Sequence, residues 1–125
     1  MGFEYEEPTW LNFEIEVVFD PNFIEKNQQL EEYKSLELDK LTWITLITNA
    51  VGKLYGLVGE SLFYEIIQLS DNGKKCNVKI MKEDEKVFKN SFFTYKFKFN
   101  AIYGGNLDCE CYLNVIKVHK IQDQS

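Results

Sequence analysis

The order of patterns along the chain predicts an α+β fold, an antiparallel sheet of about five strands with helices packed on one face. Three observations carry this expectation. A strictly alternating apolar run opens at Trp10, a helix-period stretch fills Leu38 to Leu62, and two later pairs of strand-like segments are separated by a second helical one.

In the first strand, Trp10 to Phe19, residues Leu11, Phe13, Ile15, Val17 and Phe19 share one face, and Asn12, Glu14 and Glu16 take the other. Asp20-Pro21 ends it. The next stretch, about 21–38, reads as an acidic, glutamine-rich insertion, either a solvated loop with a short helix over Ile24 to Lys34 or a docking segment for a basic partner.

The stretch from Leu38 to Leu62 organises the rest. On a period of 3.6 residues, Leu41, Ile44, Ile47, Val51, Leu54 and Tyr55 form the core stripe, opposite Thr42, Thr45, Asn49, Gly52 and Lys53. Asp39 is the expected N-cap, and Gly56 the left-handed residue that stops the helix after Tyr55. Trp43, Leu46 and Ala50 widen the apolar arc beyond the stripe that one sheet needs, so they are the expected partner interface.

Leu57 to Ser61 then turns into a strand over Leu62 to Leu69, and Asp71-Asn72-Gly73-Lys74 is a tight-turn signal into Lys75 to Met81. There Cys76, Val78 and Ile80 face inward and the lysines outward. Lys82 to Ser91 reads as a helix with acids in its first turn and Lys86 and Lys89 later. Phe92 to Tyr103 returns to alternation, with Phe93, Tyr95, Phe97, Phe99, Ala101 and Tyr103 on one face. Gly104-Gly105-Asn106 turns the chain into a last strand, Cys109 to Val118, and a short polar tail begins at His119. The reading is one domain over residues 1–125, a sandwich of the split β-α-β kind.

Composition narrows the function classes. No apolar run is read as a membrane span and MGFEYEEP lacks the features of a signal peptide, so an intracellular soluble protein without a membrane partner is expected. Three cysteines, Cys76, Cys109 and Cys111, an odd set in a chain read without a secretory signal, are read as ordinary reduced strand residues; a zinc site started by Cys109-Glu110-Cys111 would need both Cys76 and His119 to reach about four ligands. His119 has no nucleophile beside it, no glycine run cradles phosphate after a strand, and no catalytic residue, metal or cofactor is assigned. Glu14 and Glu16 could pair for acid-base work or bind Mg²⁺, but are expected to face Lys96 and Lys98 on a neighbouring strand.

The net charge of −6 hides a division: residues 1–39 carry eleven acids and two lysines, whereas residues 74–120 carry ten lysines and five acids. All fourteen basic residues are lysine, so any anion is held by point charges and backbone amides. The candidate RNA-binding set is Lys74, Lys75, Lys79, Lys82, Lys96 and Lys98, and Lys117 and Lys120 add to the same basic group from the last strand. Phe93, Tyr95, Phe97 and Phe99 are expected in the core, because leaving each ring wet forfeits about 2 kcal/mol of burial. The lysines would then face outward and contact phosphates without reading bases.

Between Trp10 and Lys120 the chain resembles the small protein-subunit family of eukaryotic and archaeal ribonuclease P and ribonuclease MRP. The likeness rests on the strand Leu11 to Phe19, the helix end Asn49-Ala50-Val51-Gly52-Lys53-Leu54-Tyr55-Gly56, the hairpin Lys75-Cys76-Asn77-Val78-Lys79-Ile80, and the closing Cys111-Tyr112-Leu113-Asn114-Val115-Ile116-Lys117-Val118. The resemblance implies an RNA-recognition-like, ferredoxin-like sandwich and residence in a nuclear, nucleolar ribonucleoprotein that removes 5′ leaders from precursor tRNA. It implies that the RNA does the chemistry with Mg²⁺, while the protein braces ribonuclease P or MRP RNA and docks other subunits, including one of barrel fold. The acidic overall charge and the long 21–38 insertion depart from the pattern and point to a subunit held mainly by protein contacts. The competing expectations are an interaction module without RNA and a small enzyme or ligand-binding domain on the same fold.

Overall fold

A computed structural model of the chain describes residues 9–20, 35–102 and 109–121. Its elements are β1 (Trp10–Phe19), α1 (Lys40–Glu60), β2 (Tyr64–Leu69), β3 (Lys75–Met81), a 3-10 turn (Lys82–Asp84), α2 (Glu85–Thr94), β4 (Lys96–Lys98), α3 (Phe99–Ile102) and β5 (Glu110–Lys120). The five strands form one sheet in the order β2-β3-β1-β5-β4. All four neighbouring pairs are antiparallel. β5, β1, β3 and β2 alone have the ferredoxin-like strand order, and the three-residue β4 is added outside β5.

The alternation of β1 decides which face is inside. Leu11, Phe13, Ile15, Val17 and Phe19 are buried, and they meet Cys76, Val78 and Ile80 of β3 and Cys111 and Leu113 of β5 beneath the helices. The register places Phe13 opposite Val78 and Ile15 opposite Cys76. Burying β-branched and aromatic side chains at every second position turns a period of two into a one-sided core.

The phase of α1 differs from the expected one. Trp43, Leu46, Ile47, Ala50 and Val51 are its buried stripe, whereas Leu41, Ile44 and Leu54 are exposed. Two apolar stripes overlap on this helix and share Ile47 and Val51. The one with the indole wins, because Trp43 brings the larger surface and its Nε1–H donates to the Gly73 carbonyl, so no buried donor is orphaned. Trp43, Leu46 and Ala50 are thus core residues, and their expected role as an exposed interface is corrected. By length and composition α1 could also cross a membrane, contrary to expectation, but its inner stripe belongs to the sandwich core.

Asp39 caps α1 as expected, accepting the backbone N–H of Thr42 at 2.8 Å. Gly56 has φ 63 and ψ −145, a region open to glycine, and it kinks the helix. The chain does not stop there. A further turn runs to Glu60, and past the kink Gly59 lies so close to the earlier part of the helix that a Cβ would meet the Val51 carbonyl and Tyr55.

The β2–β3 hairpin has the expected turn, with Gly73 at φ 71, and β2 begins two residues later than expected. The second half departs more. Phe88 and Phe92, four apart on one helical face, are both fully buried with tilted rings whose centroids lie 5.9 Å apart, which draws α2 on to Thr94. The expected strand over Phe92 to Tyr103 shrinks to β4, followed by the short α3. Phe93 consequently falls on the outside of α2 with 87% of its surface exposed, while Tyr95, Phe97 and Phe99 are buried as expected. β5 begins at Glu110 and continues to Lys120, so His119 belongs to a strand and not to a tail. The expected helix over Ile24 to Lys34 and the turn at Gly104-Gly105-Asn106 lie outside the described residues.

Candidate nucleic-acid interface

The helices cover one face of the sheet, and the other face displays the alternate residues of each strand. Across β3, β1 and β5 its rows run Lys75, Glu16, Asn114 and then Asn77, Glu14, Lys117 and Lys79, Asn12, His119. Outside β5, Lys96 stands opposite Tyr112 and Lys98 opposite Glu110. Neighbouring strands lie about 4.8 Å apart, so β3 and β4, three strands distant, set their lysines roughly 14 Å apart.

Four of the six candidate lysines share this face. Lys75, Lys96 and Lys98 are exposed, and Lys79 is half-buried with its ammonium 4.4 Å from the centroid of the Trp10 ring. That stacking holds Lys79 over the β1 end of the face without neutralising it. Lys74 is elsewhere: it sits half-buried in the hairpin turn, where its carbonyl accepts the Val17 N–H at 3.0 Å. Burial lowers its ammonium pKa, and the nearby Glu37 carboxylate opposes that shift. Lys82 is exposed on the 3-10 turn at the exit of β3, its N–H donating to the Thr9 carbonyl.

The acids on this face are not where the sequence reading put them. Glu14 and Glu16 face Asn77 and Lys75 of β3 and Lys117 and Asn114 of β5, not Lys96 and Lys98. Glu16 Oε1 accepts a hydrogen bond from Asn114 Nδ2 at 3.0 Å. β1 therefore runs as an acidic column between two basic borders. At its end Asn12 Nδ2 donates to Asn77 Oδ1 at 3.0 Å, a cross-strand bond that keeps a nearly buried amide satisfied.

The sequence reading counts Lys117 among the basic residues but passes over Trp10 and Tyr112 as members of the same face. The signal was present, since the alternation that sends Leu11 and Cys111 inward sends Trp10 and Tyr112 outward. Tyr112 is 41% exposed beside Lys96. Trp10 packs edge-on against Phe63 at 5.7 Å.

The face has little of the chemistry of an active site. Cys76, Cys109 and Cys111 are free thiols buried on the other side of the sheet. Burial pushes the Cys76 thiol up to about 12 and raises that of Cys111 as well, so both stay protonated and poorly nucleophilic near neutrality. Among the described residues no cluster of three metal-ligating side chains occurs. His119 is exposed on β5 at the rim of a shallow hollow with Asn12, Gln68 and Asn77.

A family model described as Ribonucleases P/MRP protein subunit Pop8 matches residues 14–95 of this chain. Among solved structures, the chain is similar to one in the cryo-EM structure of yeast ribonuclease MRP, with a TM-score of 0.66 and 17% identity over 93% of this chain and 77% of the other. At that identity the likeness shows the fold. No curated protein matches.

Proposed function

This chain belongs to the ribonucleases P/MRP protein subunit Pop8 family, and on that premise we propose that it is a noncatalytic subunit that braces the particle's RNA with its open sheet face. The family match together with one lysine-bordered face that no described helix covers carries the reading. Lys75 and Lys79 on one border, and Lys96 and Lys98 on the other, would meet phosphates as point charges. The acidic column between them disfavours a phosphate over β1, so the RNA backbone follows the borders. In this reading the RNA supplies the chemistry with Mg²⁺, the particle matures the 5′ ends of precursor tRNA, and the protein resides in the nucleus, in the nucleolus.

Protein contacts hold the other side. The C-terminal end of α1 exposes an apolar strip of Leu54, Leu57 and Val58, the last two 83% and 73% exposed, with Leu41 exposed at the helix start, in place of the Trp43, Leu46 and Ala50 flank expected from sequence. In a multi-subunit particle this apolar strip is the surface that another protein subunit would cover, with the barrel-fold subunit as the candidate. The net negative charge supports such an arrangement, since it opposes attachment by RNA contacts alone.

The test is RNA affinity against salt. Replacing Lys75 and Lys79 together by Glu should weaken binding to ribonuclease P or MRP RNA and lower the slope of log K against log salt by about 0.7 per lost phosphate contact. An affinity and slope equal to those of the unaltered chain would sink the open-face assignment.

A further inference from the structure

Among the described residues, the outer edge of β5 is left open for part of its length. Hydrogen bonds from Asp20 N to Glu110 O and from Ile121 N to Trp10 O fix which residues of β5 face β1. By alternation on either side of the bulge at Ile116, Val115, Val118 and Lys120 aim their N–H and C=O groups the other way. β4 pairs with β5 from Glu110 to Tyr112, and among the described residues no strand continues it past that point. Beside this edge lies a groove of roughly 760 Å³, lined by Lys89, Asn90 and Phe93 of α2, Lys96 of β4, and Tyr112 to Val115 of β5. Phe93, the most exposed large apolar side chain described, forms its wall.

We infer that this edge and groove receive an extended, acidic segment of a partner protein, which adds a strand to β5 in line with β4. The inference rests on the reading of the chain as a particle subunit. Each part of the site matches one requirement of strand addition. The outward amides and carbonyls of Val115, Val118 and Lys120 supply main-chain pairing, and the Phe93 wall takes an alternate apolar side chain. Lys89, Lys117 and Lys120 favour carboxylates at the intervening positions. Lys89 is already paired with Glu85 at 3.0 Å, so Lys117 and Lys120 carry most of that preference. A second copy of this chain fits badly, because β5 against β5 would set lysines beside lysines across a bulge, an arrangement that discourages edge pairing.

The experiment uses the assembled particle, purified through the tagged chain, with the photoreactive residue p-benzoylphenylalanine in place of Phe93. Crosslinks should reach an acidic stretch of another protein, and the Val115 and Val118 amides should exchange with deuterium more slowly in the particle than in the free chain. Phe93→Glu should reduce retention in the particle by about tenfold without moving the unfolding midpoint, since the ring leaves the core untouched. Crosslinks to RNA or to a second copy, unslowed exchange, or full retention of Phe93→Glu would each overturn the inference while the subunit reading stands. Failure of the unaltered chain to retain particle RNA would count against the subunit reading itself.

Discussion

Gly73 shows how much of this fold depends on one position. Its φ of 71 closes the β2–β3 turn, and its carbonyl accepts the Trp43 indole N–H from α1. A Cβ there would run into the backbone of Leu38, whose own N–H donates to Asn72. One residue thus joins the turn, the start of α1 and the end of the 21–38 segment. Gly73→Ala should cost about 3 kcal/mol or more, combining left-handed strain with displacement of Leu38. Denaturant unfolding monitored by Trp43 fluorescence measures it, and a loss below about 1 kcal/mol would mean that the turn relaxes freely. The turn was legible as Asp71-Asn72-Gly73-Lys74, but the close approach of Leu38 was not, because it joins residues thirty-five apart in sequence.

At the scale of elements, the N-cap of α1 is legible in the sequence, whereas Gly56 kinks the helix and does not end it, and the helix phase differs from the expected one. Asp39 accepts hydrogen bonds from the Thr42 hydroxyl at 2.7 Å and from the Thr42 backbone N–H. The hydroxyl bond first, then the backbone bond, holds its carboxyl below the ordinary value of 3.8. A depressed folded-state pKa means that the ionised cap stabilises the fold above the unfolded value and that this contribution is lost as pH falls through the folded one. Asp39→Asn retains a cap without the titration. The difference in unfolding midpoint between the two proteins should be constant above about pH 5 and shrink on acidification below it. A difference that grows as the acid is protonated would contradict the sign. The second helix went differently: Phe92 and Phe93 fit a strand's alternation as well as a helix's spacing, and burial of Phe88 against Phe92 decided for the helix.

The whole molecule separates its surfaces by chemistry. Lysine borders lie on the open sheet face, an apolar strip at the C-terminal end of α1, and the thiols and most of the described rings between the layers. If the strip meets protein, Leu57→Ser combined with Val58→Ser should leave stability within about 0.5 kcal/mol, because neither side chain is in the core. Incorporation into the particle should nonetheless fall, as measured by the RNA recovered with the tagged chain. Unaltered recovery would remove the strip from the protein interface.

The chain alone determined the order of elements, the inward face of β1 and β3, the Asp39 cap and the turn at Gly73, because each follows from a local period or from one residue's backbone preference. Only the tertiary structure chose between two overlapping stripes on α1, set Glu14 and Glu16 between Lys75 and Lys117, and put Phe93 outside. Those outcomes depend on which distant side chains compete for the same buried volume and the same hydrogen-bond acceptor, and no local pattern records that competition.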